Sequence, residues 1–205
     1  YPAPLDYNPE FVNDCLVMAS NMKEGRETID PWTQWLSNES IIVNKKYGAI
    51  NKLKAWKNYL LFWQDDAVGT LSVMDRSLIS DSEGKSTTLG EGTILQRYDY
   101  VSTNLGLSTR FSFTGSVNAC YWFDNKKRVI NRFLNNIENI STIRGVNSYL
   151  NGLSKSYGDS DNVMSHNLNH KGFFMTYNPV YNEVWLIVKD LEDSGPTLKL
   201  SRQVT

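Results

Sequence analysis

The stretch Asn118 to Phe133, NACYWFDNKKRVINRF, decides the fold. It holds an apolar-aromatic run, a polar turn at Asn125-Lys126-Lys127 and a second, β-branched run, which is the pattern of a β-hairpin. Two other windows of the same length share it: NYLLFWQDDAVGTLSV from Asn58 and FFMTYNPVYNEVWLIV from Phe173. The turns fall at matching places, and the windows start 60 and 55 residues apart. The hairpin is therefore one copy of a repeat. Repeated antiparallel units at such a period predict blades of a β-propeller, with an antiparallel sandwich of similar hairpins as the alternative. Propeller repeats run about 40–50 residues, so this period calls for insertions. About three units are present, fewer than a closed propeller requires.

The insertions are visible. MDRSLISDSEGKSTTLGEGT, from Met74 to Thr93, reads as a long polar connection anchored by Leu78, Ile79 and Leu89. STIRGVNSYLNGLSKSYG, from Ser141 to Gly158, puts Val146, Tyr149, Leu150 and Leu153 on one helical face. At the N-terminal side, Asn8 and Pro9 look like a helix start and Gly25 a stop, with Phe11, Cys15, Met18 and Met22 at helical spacing. Asp30-Pro31 repeats the start signal and sets Trp32, Trp35 and Leu36 on a short helical turn, expected to pack onto the domain that follows. The expected organisation is an N-terminal helical segment over 1–38 and a propeller-like region over 39–205. Both ends read as cut: the chain opens at Tyr1, and Leu198 and Leu200 alternate as in a strand with an open edge.

Composition sets limits. The chain has 205 residues, 40% of them hydrophobic, with a net charge of −1, so no strong overall field favours nucleic acid. Lys52, Lys54 and Lys57 follow Lys45 and Lys46, but on an alternating strand Lys52 and Lys54 share what is normally the solvent face. Specific nucleic-acid binding is not expected. No apolar run approaches the roughly 18 residues of a membrane helix. Cys15 and Cys120 are in no metal spacing and read as reduced, buried thiols. His166 and His170 stand four apart in an Asn-rich stretch, without an evident third ligand. Asp159 and Asp161 have calcium-like spacing but lack the later glycine and glutamate of a calcium loop. Gly90-Glu91-Gly92 is half a dinucleotide fingerprint lying between strands. Asn38-Glu39-Ser40 and Asn139-Ile140-Ser141 match glycosylation acceptors. No catalytic, cofactor-binding or metal-binding residues are assigned, no cofactor is expected, and the chain reads as no enzyme.

A resemblance accompanies these patterns. AINKLKAWKNYLLFWQDDAVGTLSV from Ala49, Arg76-Ser77-Leu78-Ile79, the Leu89-Gly90-Glu91-Gly92 turn and Arg97-Tyr98-Asp99-Tyr100 carry it, and ACYWFDNKKRVINRF and YNPVYNEVWLIV extend it. From about Lys46 to Val188 the chain resembles propeller-bearing stabilization or muzzle proteins in the tails of crAss-like and related short-tailed phages of Bacteroidales. The resemblance implies a virion tail component, part of a longer polypeptide, which packs against copies of itself and neighbouring tail or portal proteins. Its motifs are structural, not catalytic. The competing expectation is a propeller that binds or cleaves host-surface glycans, for which Trp32, Trp56, Trp63, Trp122 and Trp185 would have to be exposed.

Overall fold

A computed structural model describes residues 13–21, 30–57, 59–73, 77–80, 86–89, 93–143, 145–156, 172–189 and 197–201. The chain is mainly β. β1 (Leu16–Ser20) and β2 (Trp35–Ile42) form an antiparallel pair. Sheet 1 follows, from β3 (Ile50–Trp56), β4 (Tyr59–Gln64), β5 (Val68–Val73) and, after a separate hairpin of β6 (Ser77–Ser80) and β7 (Ser86–Leu89), β8 (Leu95–Ser102). Sheet 2 is β9 (Phe113–Gly115), β10 (Cys120–Asp124), β11 (Val129–Phe133) and β12 (Ile137–Asn139), paired in chain order. The helices α1 (Ile140–Ile143) and α2 (Asn147–Ser156) lead to sheet 3: β13 (Gly172–Asn178), β14 (Glu183–Lys189) and β15 (Thr197–Ser201). All strand pairs are antiparallel.

The repeated windows become the hairpins β4–β5, β10–β11 and β13–β14, as their pattern predicts. Their turns lie at Asp65-Asp66, Asn125 to Arg128 and Pro179 to Asn182. Arg128 and Asn182, each the last turn residue before the returning strand, take left-handed φ values of 59° and 51°.

YLLFWQ and CYWFD are continuous apolar runs because both faces of their strands are buried. Leu61 and Trp63 of β4 meet Cys120 and Trp122 of β10 in one core. The indoles of Trp63 and Trp122 pack edge to face with centroids 5.7 Å apart. On the other side of β4, Phe62 joins Cys15, Val17 and Val43 in a second core, so β1 covers the outer face of sheet 1. On the other side of β10, Tyr121 and Phe123 meet Phe173, Met175, Val184 and Leu186 of sheet 3. Leu150 of α2 is fully buried there, so the helix expected after the second hairpin is present and packs. The resulting order is β1–β2 hairpin, sheet 1, sheet 2, sheet 3, face upon face.

Several expectations need correction. Residues 16–20 are a strand rather than part of a helix; Val17 faces the core while Met18 is exposed, the alternation of a half-buried strand. Asn8, Pro9, Phe11, Met22 and Gly25 lie outside the described residues. Of the helical turn expected after Asp30, Pro31–Thr33 forms a short 3-10 turn, and Trp35 and Leu36 begin β2, a strand running through residues 38 and 39. Trp32 and Trp35 do not pack inward: each is 58% exposed. The long connection over 74–93 contains the β6–β7 hairpin. Its return to sheet 1 is fixed where the Ile94 amide donates to the buried Glu39 carboxylate, 2.6 Å away. Among the described residues no sheet closes into a barrel.

Asn131 of β11 lies opposite Trp122 in the register and is fully buried, with neither end of its amide hydrogen-bonded among the described residues. Desolvating an amide without partners costs about 1–3 kcal/mol. Asn131→Leu, close in volume, should therefore raise the stability of the fold by about that amount, read as a higher urea midpoint. A lower midpoint would show that the amide has a partner worth keeping.

Candidate functional site

Among the described residues, the most elaborate polar construction lies at one end of the stack, where hairpin tips and connecting loops interleave. Gln64 closes β4 and is fully buried. Its Nε2 donates to the Gly48 carbonyl (2.7 Å) and the Asn44 carbonyl (3.0 Å), and its Oε1 accepts from the Tyr100 hydroxyl (2.8 Å). Its backbone carbonyl accepts from the Leu107 amide at 2.8 Å. One side chain and its peptide thus join the loop that leads into sheet 1, the last strand of that sheet and the loop leading out to sheet 2. Burial raises the Tyr100 phenol to about 12, keeping it a neutral donor.

The first tip is gripped from both sides. The Asp66 amide donates to the Tyr47 carbonyl, and Asn51 Nδ2 donates to Asp65 Oδ1 (2.6 Å) and to the Leu107 carbonyl (2.7 Å). Gly106 passes so close to the first tip that a Cβ on it would overlap the Asp65 carbonyl and the Asp66 amide. Beyond Gly106 comes the second tip. Asp124 closes β10 as Gln64 closes β4, sixty positions on, and is 2% exposed. Its Oδ2 accepts from the Gly106 amide (3.1 Å) and its Oδ1 from the Lys127 amide (3.0 Å). Burial is the largest influence on Asp124 and pushes its pKa up, against the backbone donors that pull it down. Lys126 Nζ then reaches back to both Asp66 oxygens at 2.8 Å, tying tip to tip. This pair is half exposed, so it contributes under about 1 kcal/mol and is weakened by salt.

The lysines of β3 and of the turn after it finish the joint along its margin. In the register Lys52 lies opposite Trp63 and Lys54 opposite Leu61, so they share the face that meets sheet 2, at its open margin, where Lys52 is half-buried and Lys54 exposed as expected. Lys52 Nζ sits 5.4 Å from the Phe113 ring centroid, Lys54 Cε approaches Gly115, and Lys57 Nζ donates to Asn135 Oδ1 at 3.0 Å. Their stems cover apolar edge while the ammonium groups stay wet.

Both cysteine thiols are free and buried. Burial raises the Cys120 thiol to about 11 and also raises Cys15, whose Sγ donates to the Gly48 carbonyl. Asn139 Oδ1 accepts from Ser141 Oγ and the Thr142 amide at the start of α1. Among the described residues no three His, Cys, Asp or Glu side chains gather as a metal set. Asp159, Asp161, Gly158, His166, His170 and Gly90-Glu91-Gly92 lie outside the described residues. Of the tryptophans named for glycan contact, Trp56, Trp63 and Trp122 are buried and Trp185 is half-buried, while Trp32 is exposed. No helix among the described residues is long and apolar enough to cross a membrane. The arrangement ties the end of sheet 1 to the end of sheet 2. Sequence reading did not single out Gln64, Gly106 or Asp124; the signal available for two of them was the sixty-residue offset of a polar residue closing an apolar strand.

Compared with known protein families, residues 3–193 match the family model described as Crassvirus muzzle protein. No curated protein matches the chain.

The joint yields two expectations. Gly106→Ala drives a methyl into backbone that has no rotamer to yield, so it should destabilise by about 1–3 kcal/mol, read as a lower urea midpoint. Asp124 binds its proton more tightly folded than unfolded. Its contribution is therefore fully present below the ordinary value of 3.8 and is lost as pH rises through the raised folded value. Asp124→Asn removes that loss. The midpoint of the variant relative to the unaltered protein should climb between about pH 3 and pH 7, and a flat difference would assign the pH response elsewhere.

Proposed function

The chain belongs to the Crassvirus muzzle protein family, and on that premise we propose that it is a structural component of a phage virion tail, acting through subunit packing and without catalysis. Its three consecutive antiparallel sheets are read as contiguous blades of a β-propeller, and its partners as copies of itself and neighbouring tail or portal proteins. The observation that carries this reading, beside the family, is the joint. Gln64, Asp124, Gly106 and the Lys126–Asp66 pair are all spent on holding one sheet against the next. A part that must keep its shape while joined to many neighbours needs such rigidity, and symmetric repetition multiplies modest contacts into a stable particle.

Glycan binding during host attachment is the second reading. It draws on Trp32 and Trp35, both largely exposed, because exposed indoles can stack on sugar faces. Purified virions analysed by mass spectrometry should contain the protein, and imaging of the tail should locate it there. Absence from particles would overturn the structural reading. Hydrolysis of host polysaccharide by the isolated protein would overturn the non-catalytic part. Polysaccharide binding lost in Trp32→Ala and Trp35→Ala variants would establish the second reading.

A further inference from the structure

Sheets 1 and 2 meet along one margin through their first strands, β3 and β9, each the edge of its sheet. Lys45, Lys46, Lys52, Lys54 and Lys57 are the only charged side chains between Glu39 and Asp65. Three of them line this margin: Lys52 over the Phe113 ring, Lys54 beside Gly115 and Lys57 against Asn135. None of the three joins an ion pair among the described residues. Lys52 meets a ring, and Lys57 meets a neutral amide and the Trp56 ring, so their charge is left unmatched. On the opposite side of the same sheets charge is balanced locally. Arg97 pairs with Asp99 on β8, and Arg132 of β11 pairs with Glu138 of β12.

The spacing specifies what the margin fits. Lys52 and Lys54 alternate on one strand, so their Cα atoms stand roughly 6–7 Å apart, the repeat at which any extended polypeptide presents alternate side chains. A single-stranded nucleic acid would need exposed rings for its bases. The rings beside these lysines, Phe113 and Trp56, are buried. We propose that the β3–β9 margin binds an acidic polypeptide segment of a neighbouring protein, extended along β3, with alternate carboxylates on Lys52 and Lys54 and a third on Lys57. Wet ammonium groups keep the desolvation cost low, and the array sets orientation and register more than raw affinity. The inference deepens the assembly reading by naming the partner's chemistry, and rests on that reading only for the source of the segment.

The test uses a fluorescently labelled peptide of alternating glutamate and threonine, its glutamine counterpart, and a thymidine oligonucleotide of equal charge. The isolated protein should bind the glutamate peptide at least about tenfold more tightly than the other two, and less tightly as salt rises. Lys52→Gln, Lys54→Gln and Lys57→Gln together should weaken that binding at least about tenfold, while Lys45→Gln with Lys46→Gln should leave it nearly unchanged. Arginine at the three margin positions keeps the charge and should keep the binding, which separates loss of charge from loss of fold. Equal weakening in both glutamine variants would make the attraction one of overall charge, and the proposal fails. Tighter binding of the oligonucleotide overturns it in favour of nucleic acid. No peptide binding also overturns it; self-association of the triple glutamine variant would then assign the lysines to guarding an edge against stray strands. In purified virions a carbodiimide should join Lys52, Lys54 or Lys57 to a carboxylate of another chain, and cross-links from Lys45 or Lys46 alone would count against the margin. The peptide measurements use the isolated protein, so failure of this contact and failure of the virion reading are distinguishable.

Discussion

The rest of the fold depends on one constraint: β4 and β10 have no solvent face. Each must be covered on both sides by apolar surface, and the only surface large enough is another sheet. Trp63 and Trp122 meet between sheets 1 and 2, while Phe123 packs on Phe173, centroids 4.4 Å apart, between sheets 2 and 3. Once the middle strands are covered twice, the sheets have to stack, and their ends have to be held in line. The polar joint at the tips follows from that need. Buried amides and carbonyls brought together by stacking must find partners, and Gln64 and Asp124 provide them.

The two residues solve this with different chemistry. Gln64 both donates and accepts, so it bridges carbonyls on one side and a hydroxyl on the other. Asp124 only accepts when ionised, and it is met only by backbone donors. Its carboxylate is held chiefly by backbone dipoles, with the charge of Lys127 a smaller influence, while Lys126 is engaged with Asp66. That arrangement tolerates burial of a charge at the cost of a raised pKa. It also makes the crossover loop dependent on a glycine, because only hydrogen at Gly106 leaves room for the first tip.

The hairpins were legible because their signal is local. An aromatic run, a polar turn and a β-branched run lie within sixteen residues, and the continuity of YLLFWQ and CYWFD already speaks of two buried faces. The helix over Asn147–Ser156 was legible for the same reason: Val146 and Leu150 mark its buried side within a single turn. β1 was not. Its partner β2 begins fifteen residues after it ends, so the spacing of Cys15 and Met18 imitated a helix while the pairing that decides the matter was out of local view. The lysines of β3 misled in a related way. A charged residue on an alternating strand is ordinarily assigned to water, yet Lys52 lies over Phe113 because β3 is the edge of its sheet and its ammonium can reach solvent past the joint. Gln64 and Asp124 were hidden because a polar residue at a strand end reads as the start of a turn.

The interleaving of loops and tips also bears on how the chain acquires its shape during synthesis. Sheet 1 is completed by β8, the joint residues Gly106 and Leu107 come immediately afterwards, and the second tip that locks them follows within about twenty residues. Each contact of the joint uses only chain that has already emerged or is the next to emerge, so the sheets can dock one at a time from the N-terminal side. Within each sheet the strands pair mostly with their chain neighbours, so the long-range contacts of the joint, such as Lys126 with Asp66, form between units already assembled. A sheet already docked keeps both faces of its middle strand covered except the one awaiting its successor. The aggregation hazard at any moment is then confined to a single apolar face.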